Sequence, residues 1–260
     1  MPSIADVKLF LLDMDGTFYL GEKILPGSLD FIQAVKDSGR DFLFLTNNSS
    51  HNADYYVKRL SRMGLDVGPD KILTSTQATA IKLNELYPGK RAFVLGNEYM
   101  FAELEEGGVA IDQENPEIVV IGYDTTLDYK KMTRVCDLVR AGLPYVASHP
   151  DFNCPTETGF APDIGAIIAF IEASAGRRPD LIVGKPYAGI VEAAVARTGL
   201  APARMAMVGD RLYTDVETGL KHGMLSVLVL SGETTPEMAA ASPIKPHLTF
   251  QRLADMNPLL

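Results

Sequence analysis

The chain has 260 residues, of which 47% are hydrophobic and 22% charged, with a formal net charge of −9. Its length fits one large domain or two modest ones, and its negative charge argues against a nucleic-acid surface, which needs clustered Lys and Arg. Two cysteines are too few for a disulfide framework and no apolar run reaches a membrane span, so we expect a cytoplasmic protein that binds no membrane.

Short apolar runs alternate along the chain with segments of helical spacing. Strands are predicted at 7–12, 42–45, 72–75, 92–95, 118–121, 145–147, 181–183, 205–208 and 225–230, and helices at 26–38, 55–63, 78–86, 99–106, 129–140, 164–175 and 189–198. Repeated βα units predict an α/β fold, a doubly wound, Rossmann-like parallel sheet with helices on both faces. A separate α/β run interrupts the pattern. The sequence therefore predicts a core of residues 1–76 and 181–260 and a smaller inserted domain of residues 77–180.

Four polar clusters directly follow predicted strands. They are Asp13-Met14-Asp15-Gly16-Thr17, Thr46-Asn47-Asn48, Gly184-Lys185-Pro186, and Gly209-Asp210-Arg211 with Asp215. Because ligands of such sheets bind beyond the carboxyl ends of the strands, we expect all four clusters along one edge of one parallel sheet. Each cluster alone has an ordinary explanation as a turn, cap or loop. Their joint occurrence after strands indicates a site.

The acidic residues of these clusters predict a metal-assisted reaction. Asp13, Asp15 and Asp210 would bring three carboxylates into a small volume, where they repel each other unless a cation is present. Oxygen-only ligands suit Mg²⁺, which is typically held by a few carboxylates and the substrate phosphate. An aspartate can attack phosphorus to form an aspartyl-phosphate, and a second carboxyl group can protonate the leaving group and then activate water.

The other clusters supply groups that suit a phosphate. Lys185 offers a point positive charge for a phosphate oxygen. Thr46 offers a hydroxyl group, and the backbone amides near Asn47 and Asn48 can surround the remaining oxygens. A phosphorylated substrate is therefore predicted in spite of the negative net charge, because a magnesium ion and one lysine reverse the charge locally.

These residues resemble the four motifs of the haloacid dehalogenase superfamily. The motifs are Asp13-x-Asp15-Gly16-Thr17, Thr46, Lys185 and Gly209-Asp210-x4-Asp215. The segments 184–186 and 208–215 more narrowly resemble its NagD-like branch (class IIA), whose members carry a large α/β cap, the C2 cap, and include nucleotide, sugar and p-nitrophenyl phosphatases. The resemblance implies that residues 77–180 are this cap, which closes over the strand ends and selects the leaving group.

The resemblance also implies a magnesium-dependent phosphatase acting on small phosphate monoesters through a phospho-aspartate. Asp13 would be the nucleophile and a metal ligand, and Asp15 the general acid/base with its backbone carbonyl on the metal. Asp210 would bind the metal directly, and Asp215 would orient metal waters or Lys185. Residues expected to bind the phosphoryl group are Thr46, Asn47, Asn48 and Lys185.

The predicted substrate loop of the cap is residues 149–156, which follow a cap strand. Within it Asn153 and Phe152 are predicted to contact the leaving group, although a Pro-stiffened loop that serves only the fold explains the same residues. His149 is either a functional residue or an ordinary loop residue. A homodimer is compatible with the resemblance, since some members of the branch pair through their caps.

Two other functions stay open on the sequence alone. One is phosphoryl transfer to a second hydroxyl group, as in a mutase. The other is a regulatory protein that holds a stable aspartyl-phosphate, as receiver domains do. Asp15 argues against the regulatory protein, because a slow switch needs no built-in acid/base.

Overall fold

The computed structural model describes residues 2–156 and 159–260. Contacts divide the chain into two units. The first comprises Met1–Thr46, Asp54–Leu73 and Ala194–Leu260, and the second Asn47–Ala53 and Thr74–Ala193. The predicted boundaries at 76/77 and 180/181 stay a prediction. Among the described residues, no helix has both the length and the apolar character needed to cross a membrane.

The elements alternate along the chain. The strands are β1 (Leu9–Leu12), β2 (Tyr19–Leu20), β3 (Lys23–Ile24), β4 (Asp41–Thr46), β5 (Ile72–Thr74), β6 (Ala92–Leu95), β7 (Ile118–Ile121), β8 (Tyr145–Ala147), β9 (Asn153–Thr156), β10 (Gly159–Pro162), β11 (Leu181–Ile182), β12 (Met205–Gly209), β13 (Leu225–Val229) and β14 (Leu248–Phe250). The helices are α1 (Ser28–Asp37), α2 (Ala53–Arg62), α3 (Ser75–Leu86), α4 (Glu98–Glu106), α5 (Tyr129–Arg140), α6 (Ile164–Ala175), α7 (Ala188–Thr198), α8 (Glu217–Lys221) and α9 (Pro236–Ala241). A π-helical turn, Leu212–Val216, precedes α8.

The first unit is built on a sheet whose described strands run in the order β14-β13-β12-β1-β4-β5. Strand β1 is fully buried, as expected for a continuous apolar strand covered on both faces. It pairs in parallel with β12 on one side and β4 on the other. Helix α1 packs through Phe31, whose ring meets Phe10 of β1 edge-on at 5.5 Å between centroids. Adjacent strands β12, β1 and β4 therefore end at the same edge of the sheet.

The second unit is built on a parallel sheet of order β11-β8-β7-β6. Its core forms between this sheet and helices α5 and α6. Buried residues of that core include Leu95, Val119, Ile121, Val135, Val139, Tyr145, Ile164 and Ile171. The apolar, β-branched runs predicted as strands are therefore central here too, and the α/β fold class predicted from the sequence is confirmed.

One strand joins a different sheet from the one expected. Leu181 and Ile182 of β11 pair with Val146 and Ala147 of β8. The prediction that all four polar clusters follow strands of one sheet is therefore wrong, because the strand before Gly184-Lys185-Pro186 belongs to the sheet of the second unit. An apolar run indicates a buried strand but carries no information about the strand it will pair with.

Among the described residues, two antiparallel strand pairs were not predicted from the sequence. Strands β2 and β3 have two residues each, and β9, which contains Pro155, pairs with β10. In elements this short, or in a strand that contains Pro, the alternation of apolar and polar residues is too brief to indicate a strand.

Candidate active site

The first unit brings three of the predicted acidic residues together. Asp13 directly follows β1, Asp210 directly follows β12, and Asp215 lies in the π-helical turn. One carboxylate oxygen from each lies within 4.8 Å of the other two. The Asp13 N–H donates to the Val208 carbonyl at 2.9 Å, so strand pairing continues through Asp13 and fixes its position. The predicted meeting of the Asp13 and Asp210 motifs at adjacent strand ends is therefore present.

Asp210 is held by hydrogen bonds from two other segments. Its side chain is 2% exposed, Thr17 Oγ1 donates to its Oδ1 at 3.2 Å, and the Glu233 N–H donates to its Oδ2 at 2.7 Å. Burial, together with the negative charge of Asp215, raises the pKa of Asp210 to about 6, although the Glu233 N–H opposes this. Asp210 is thus rigidly placed and electrostatically costly to ionise without a cation.

A segment after β13, Ser231-Gly232-Glu233, also lies against Asp210. This segment was not predicted from the sequence. Ser231 Oγ donates to the Gly16 carbonyl at 2.8 Å, while a Cβ on Gly232 would lie 2.0 Å from Asp210 Oδ2. Only glycine lets this backbone approach the carboxylate. The signal was available, since the segment follows an apolar run in the same way as the four recognised clusters.

Replacing Gly232 with alanine should loosen the acidic cluster. The new Cβ would clash with Asp210 Oδ2, so the carboxylate must move. We expect affinity for a divalent cation to fall by about 10-fold or more, as measured by calorimetric titration. Glu233→Ala is the matched control, since the bond to Asp210 comes from the backbone of residue 233. Equal cation affinities in Gly232→Ala and wild type would contradict this prediction.

Asp15 lies two residues after Asp13 and differs from it in surroundings. The residue is exposed to solvent, although the surrounding protein partly desolvates its carboxyl group. Desolvation raises its pKa, and the positive charges of Arg59 and Arg211 partly offset this effect. The Arg59 guanidinium also lies 4.5 Å from the centre of the buried Tyr19 ring. A carboxyl group with a raised pKa is suited to proton transfer.

The acidic cluster fits a divalent cation. Three carboxylates within 4.8 Å repel each other, and oxygen ligands of this kind are those that Mg²⁺ prefers. Two of the three, Asp210 and Asp215, are almost fully buried. Water alone therefore cannot stabilise their negative charges. The coarse prediction of a metal-binding site is therefore supported by the residues present.

Stabilisation by Mg²⁺ should depend on pH in a direction set by Asp210. Below its folded pKa of about 6 the carboxyl group is protonated and a cation must displace the proton; above it the carboxylate is ready to bind. Because this pKa is raised from 3.8, ionisation of Asp210 weakens the metal-free fold as pH rises from about 4 to about 6, and the loss is complete above that range. We expect the Tm increase on adding Mg²⁺ to be larger at about pH 7.5 than at about pH 5.

Thermal unfolding followed by fluorescence, with Mg²⁺ and with a chelator, measures this difference. Asp210→Asn is the control, since it cannot titrate and should show a small Mg²⁺ effect at both pH values. An increase in wild-type Tm that is the same at both pH values would contradict the assignment.

The predicted phosphate-binding residues are divided between the two units. Thr46 ends β4 in the first unit and is 7% exposed, whereas Asn47, Asn48 and Lys185 belong to the second unit. Asn48 Oδ1 accepts hydrogen bonds from the N–H and hydroxyl of Ser50, which makes it part of a local turn. Lys185 is 2% exposed and follows β11. Their phosphate-binding roles stay predictions.

The predicted substrate loop contains both exposed and buried residues. Asn153 begins β9 and is exposed, as is Phe152 before it, at 63%. His149 is fully buried, with Nδ1 3.7 Å from an Asp151 oxygen and Nε2 3.7 Å from an Asp163 oxygen. The two exposed side chains are available to a ligand, while His149 is an interior residue of this unit.

Comparison with known proteins identifies the family. Residues 10–110 match the haloacid dehalogenase-like hydrolase family, and residues 182–256 match the HAD-hydrolase-like family. An acid sugar phosphatase of Staphylococcus aureus (strain MRSA252) is 34% identical over 247 residues, which cover 95% of each chain. The chain belongs to the haloacid dehalogenase-like hydrolases.

Solved structures place this hydrolase within the family. The 4-nitrophenylphosphatase from Thermotoga maritima is 47% identical, with a TM-score of 0.95 and 97% of each chain covered. NagD from E. coli K-12 is 30% identical, with a TM-score of 0.88, covering 96% of this chain and 98% of that chain. The predicted resemblance to NagD-like and p-nitrophenyl phosphatases is therefore confirmed, as is the prediction that the chain is an enzyme, a phosphatase of the haloacid dehalogenase type.

Proposed function

We propose that this cytoplasmic hydrolase cleaves small phosphate monoesters in a magnesium-dependent reaction through a phospho-aspartate on Asp13. The observation that carries the proposal is the cluster of Asp13, Asp210 and Asp215 within 4.8 Å, with Asp15 two residues from the nucleophile. It supplies a nucleophile and a cation site at the carboxyl ends of two neighbouring strands, and Asp15 supplies the proton donor.

The chemistry assigned to these residues balances in two steps. An Asp13 oxygen forms a bond to phosphorus as the ester P–O bond breaks, and the Asp15 proton goes to the leaving oxygen. Asp15, now a carboxylate, takes a proton from water, whose oxygen attacks phosphorus. The bond between Asp13 and phosphorus then breaks, inorganic phosphate leaves, and both residues return to their starting states.

The cation and the phosphoryl group have separate proposed ligands. Mg²⁺ would be held by the carboxylates of Asp13 and Asp210 and by the backbone carbonyl of Asp15, with Asp215 orienting its waters. A bound divalent cation supplies neutralisation of negative charge on the phosphoryl oxygens. Lys185 supplies a further positive charge for these oxygens, and Thr46 supplies a hydroxyl donor. The proposed backbone donors of this set are the amides near Asn47 and Asn48.

The proposed substrates are sugar, nucleotide and p-nitrophenyl phosphates. The names of the relatives support sugar and nitrophenyl phosphates. Exposed side chains of Asn153 and Phe152 are the proposed contacts of the leaving group.

A screen of phosphorylated compounds tests this function. Release of inorganic phosphate would be measured for nucleoside monophosphates, sugar phosphates and p-nitrophenyl phosphate, with Mg²⁺ and with chelator, and ranked by kcat/KM. We expect Mg²⁺-dependent turnover of several of these compounds. Transfer of phosphate to an added acceptor sugar without release would instead indicate a mutase. A phosphoenzyme stable for minutes without turnover would instead indicate a regulatory protein.

A further inference from the structure

The side chain of Asn47 is bonded to the backbone of Lys185. Asn47 Oδ1 accepts the Lys185 N–H at 2.8 Å, and Asn47 Nδ2 donates to the Lys185 carbonyl at 3.0 Å. Both residues are almost fully buried. A single amide group that binds the N–H and the C=O of one residue fixes the position of that residue in the way a neighbouring strand would.

The same amide is also bonded to Asp151. Asn47 Nδ2 lies 3.2 Å from each Asp151 carboxylate oxygen, and Asp151 is 6% exposed. An amide nitrogen carries two hydrogens, so one serves the Lys185 carbonyl and the other serves the carboxylate. The donors of the Asn47 side chain are thereby used within the protein. The bond to the carboxylate is charge-assisted and stronger than a neutral one.

Asp151 is itself held in place. The Asp151 N–H donates to His149 Nδ1 at 3.4 Å, and the Gly165 N–H at the start of α6 donates to the Asp151 carbonyl at 2.8 Å. The segment before Lys185 also approaches Asn47 closely. A Cβ on Gly184 would lie 2.6 Å from Asn47 Oδ1 and 2.8 Å from His149 Cβ, so glycine is required there.

We propose that Asp151 is a positioning residue for the phosphoryl-binding lysine: through Asn47, its carboxylate holds the backbone of Lys185 in place. This inference rests on the proposed function of Lys185. It assigns the side chain of Asn47 to the support of Lys185, and leaves only backbone groups of Asn47 for a substrate. Removing the carboxylate frees one amide hydrogen and lets both Asn47 and Lys185 shift.

Four variants test the inference with p-nitrophenyl phosphate and Mg²⁺. Asp151→Ala should lower kcat/KM by about 10- to 100-fold and weaken inhibition by inorganic phosphate. Asp151→Asn keeps an acceptor for Asn47 Nδ2 and should lose less than about 10-fold. Lys185→Ala should be strongly impaired, and Asp151→Ala/Lys185→Ala should be no worse than Lys185→Ala alone, because the two residues act in series.

Asp124→Ala is the matched control. Asp124 is also a buried carboxylate of the second unit, 4% exposed, and binds Lys131 and Thr126. Its loss should lower Tm without changing inhibition by phosphate. If Asp151→Ala does not fold, Asp151→Asn replaces it. Its loss of kcat/KM in otherwise wild-type protein is then compared with its loss in the Lys185→Ala background.

The outcomes separate the inference from the function on which it rests. Full activity of Lys185→Ala would overturn the proposed role of Lys185, and this inference with it. An impaired Lys185→Ala together with a fully active Asp151→Ala would overturn only the inference. So would a loss from Asp151→Ala that is just as large when Lys185 is already absent.

Discussion

Asp13→Asn protein should fold normally and lose hydrolysis of every phosphate monoester that the wild type cleaves. The asparagine amide is not a nucleophile toward phosphorus, so no covalent intermediate forms, and we expect kcat to fall by more than about 10⁴-fold. The fold should survive because Asp13 is only half-buried, and removing one of three crowded negative charges relieves repulsion in the metal-free protein. Steady-state phosphate release and Tm measure the two effects.

Asp30→Asn is the control for this substitution. Asp30 is an exposed acidic residue in the first turn of α1, and the same chemical change there should leave activity unchanged. Intact-mass measurement must show that the asparagine at position 13 has not deamidated to aspartate. Residual Mg²⁺-dependent activity in Asp13→Asn protein of confirmed mass would contradict a phospho-aspartate at this position.

Asp15→Asn should separate the two chemical steps. An amide cannot protonate a leaving oxygen, so kcat for sugar phosphates should fall by about 10²- to 10⁴-fold. The nitrophenolate of p-nitrophenyl phosphate is already a stable anion and leaves without a proton. With this substrate the first step should continue, while the second step, which needs a base to activate water, should stall.

A rapid-mixing experiment measures this behaviour. Asp15→Asn should release about one equivalent of nitrophenolate per enzyme in a burst and then turn over slowly, with phosphate retained on the protein. Asp13→Asn provides the comparison, because it should show no burst. If Asp15→Asn hydrolyses sugar phosphates at the wild-type rate, Asp15 is not the general acid/base.

The raised pKa of Asp15 agrees with this assignment. Desolvation favours the protonated form, which is the form that the first step needs, while Arg59 and Arg211 limit the shift. Asp13, two residues earlier, belongs to the cluster that fits a cation. The two acids of one short motif are thus given different roles by their surroundings.

Much of the candidate site could be predicted because two of its acidic residues directly follow apolar runs. Asp13 follows β1 and Asp210 follows β12, and strands of this type lie in parallel with their carboxyl ends together. Residue type then gives the chemistry, since closely spaced carboxylates indicate a cation. Support by other segments was not predictable in the same way: Gly232 and Asp151 act through contacts with residues far away in the chain.

The sequence by itself determined the α/β class, the order of the motifs and the identity of the acidic residues. These depend on local properties, namely apolar periodicity, strand length and the residues that follow each strand. The tertiary structure alone decided that β11 pairs with β8, that the backbone at Gly232 reaches Asp210, and that Asn47 joins Asp151 to Lys185. Pairing and close approach depend on shape and on long-range contacts, which no local pattern encodes.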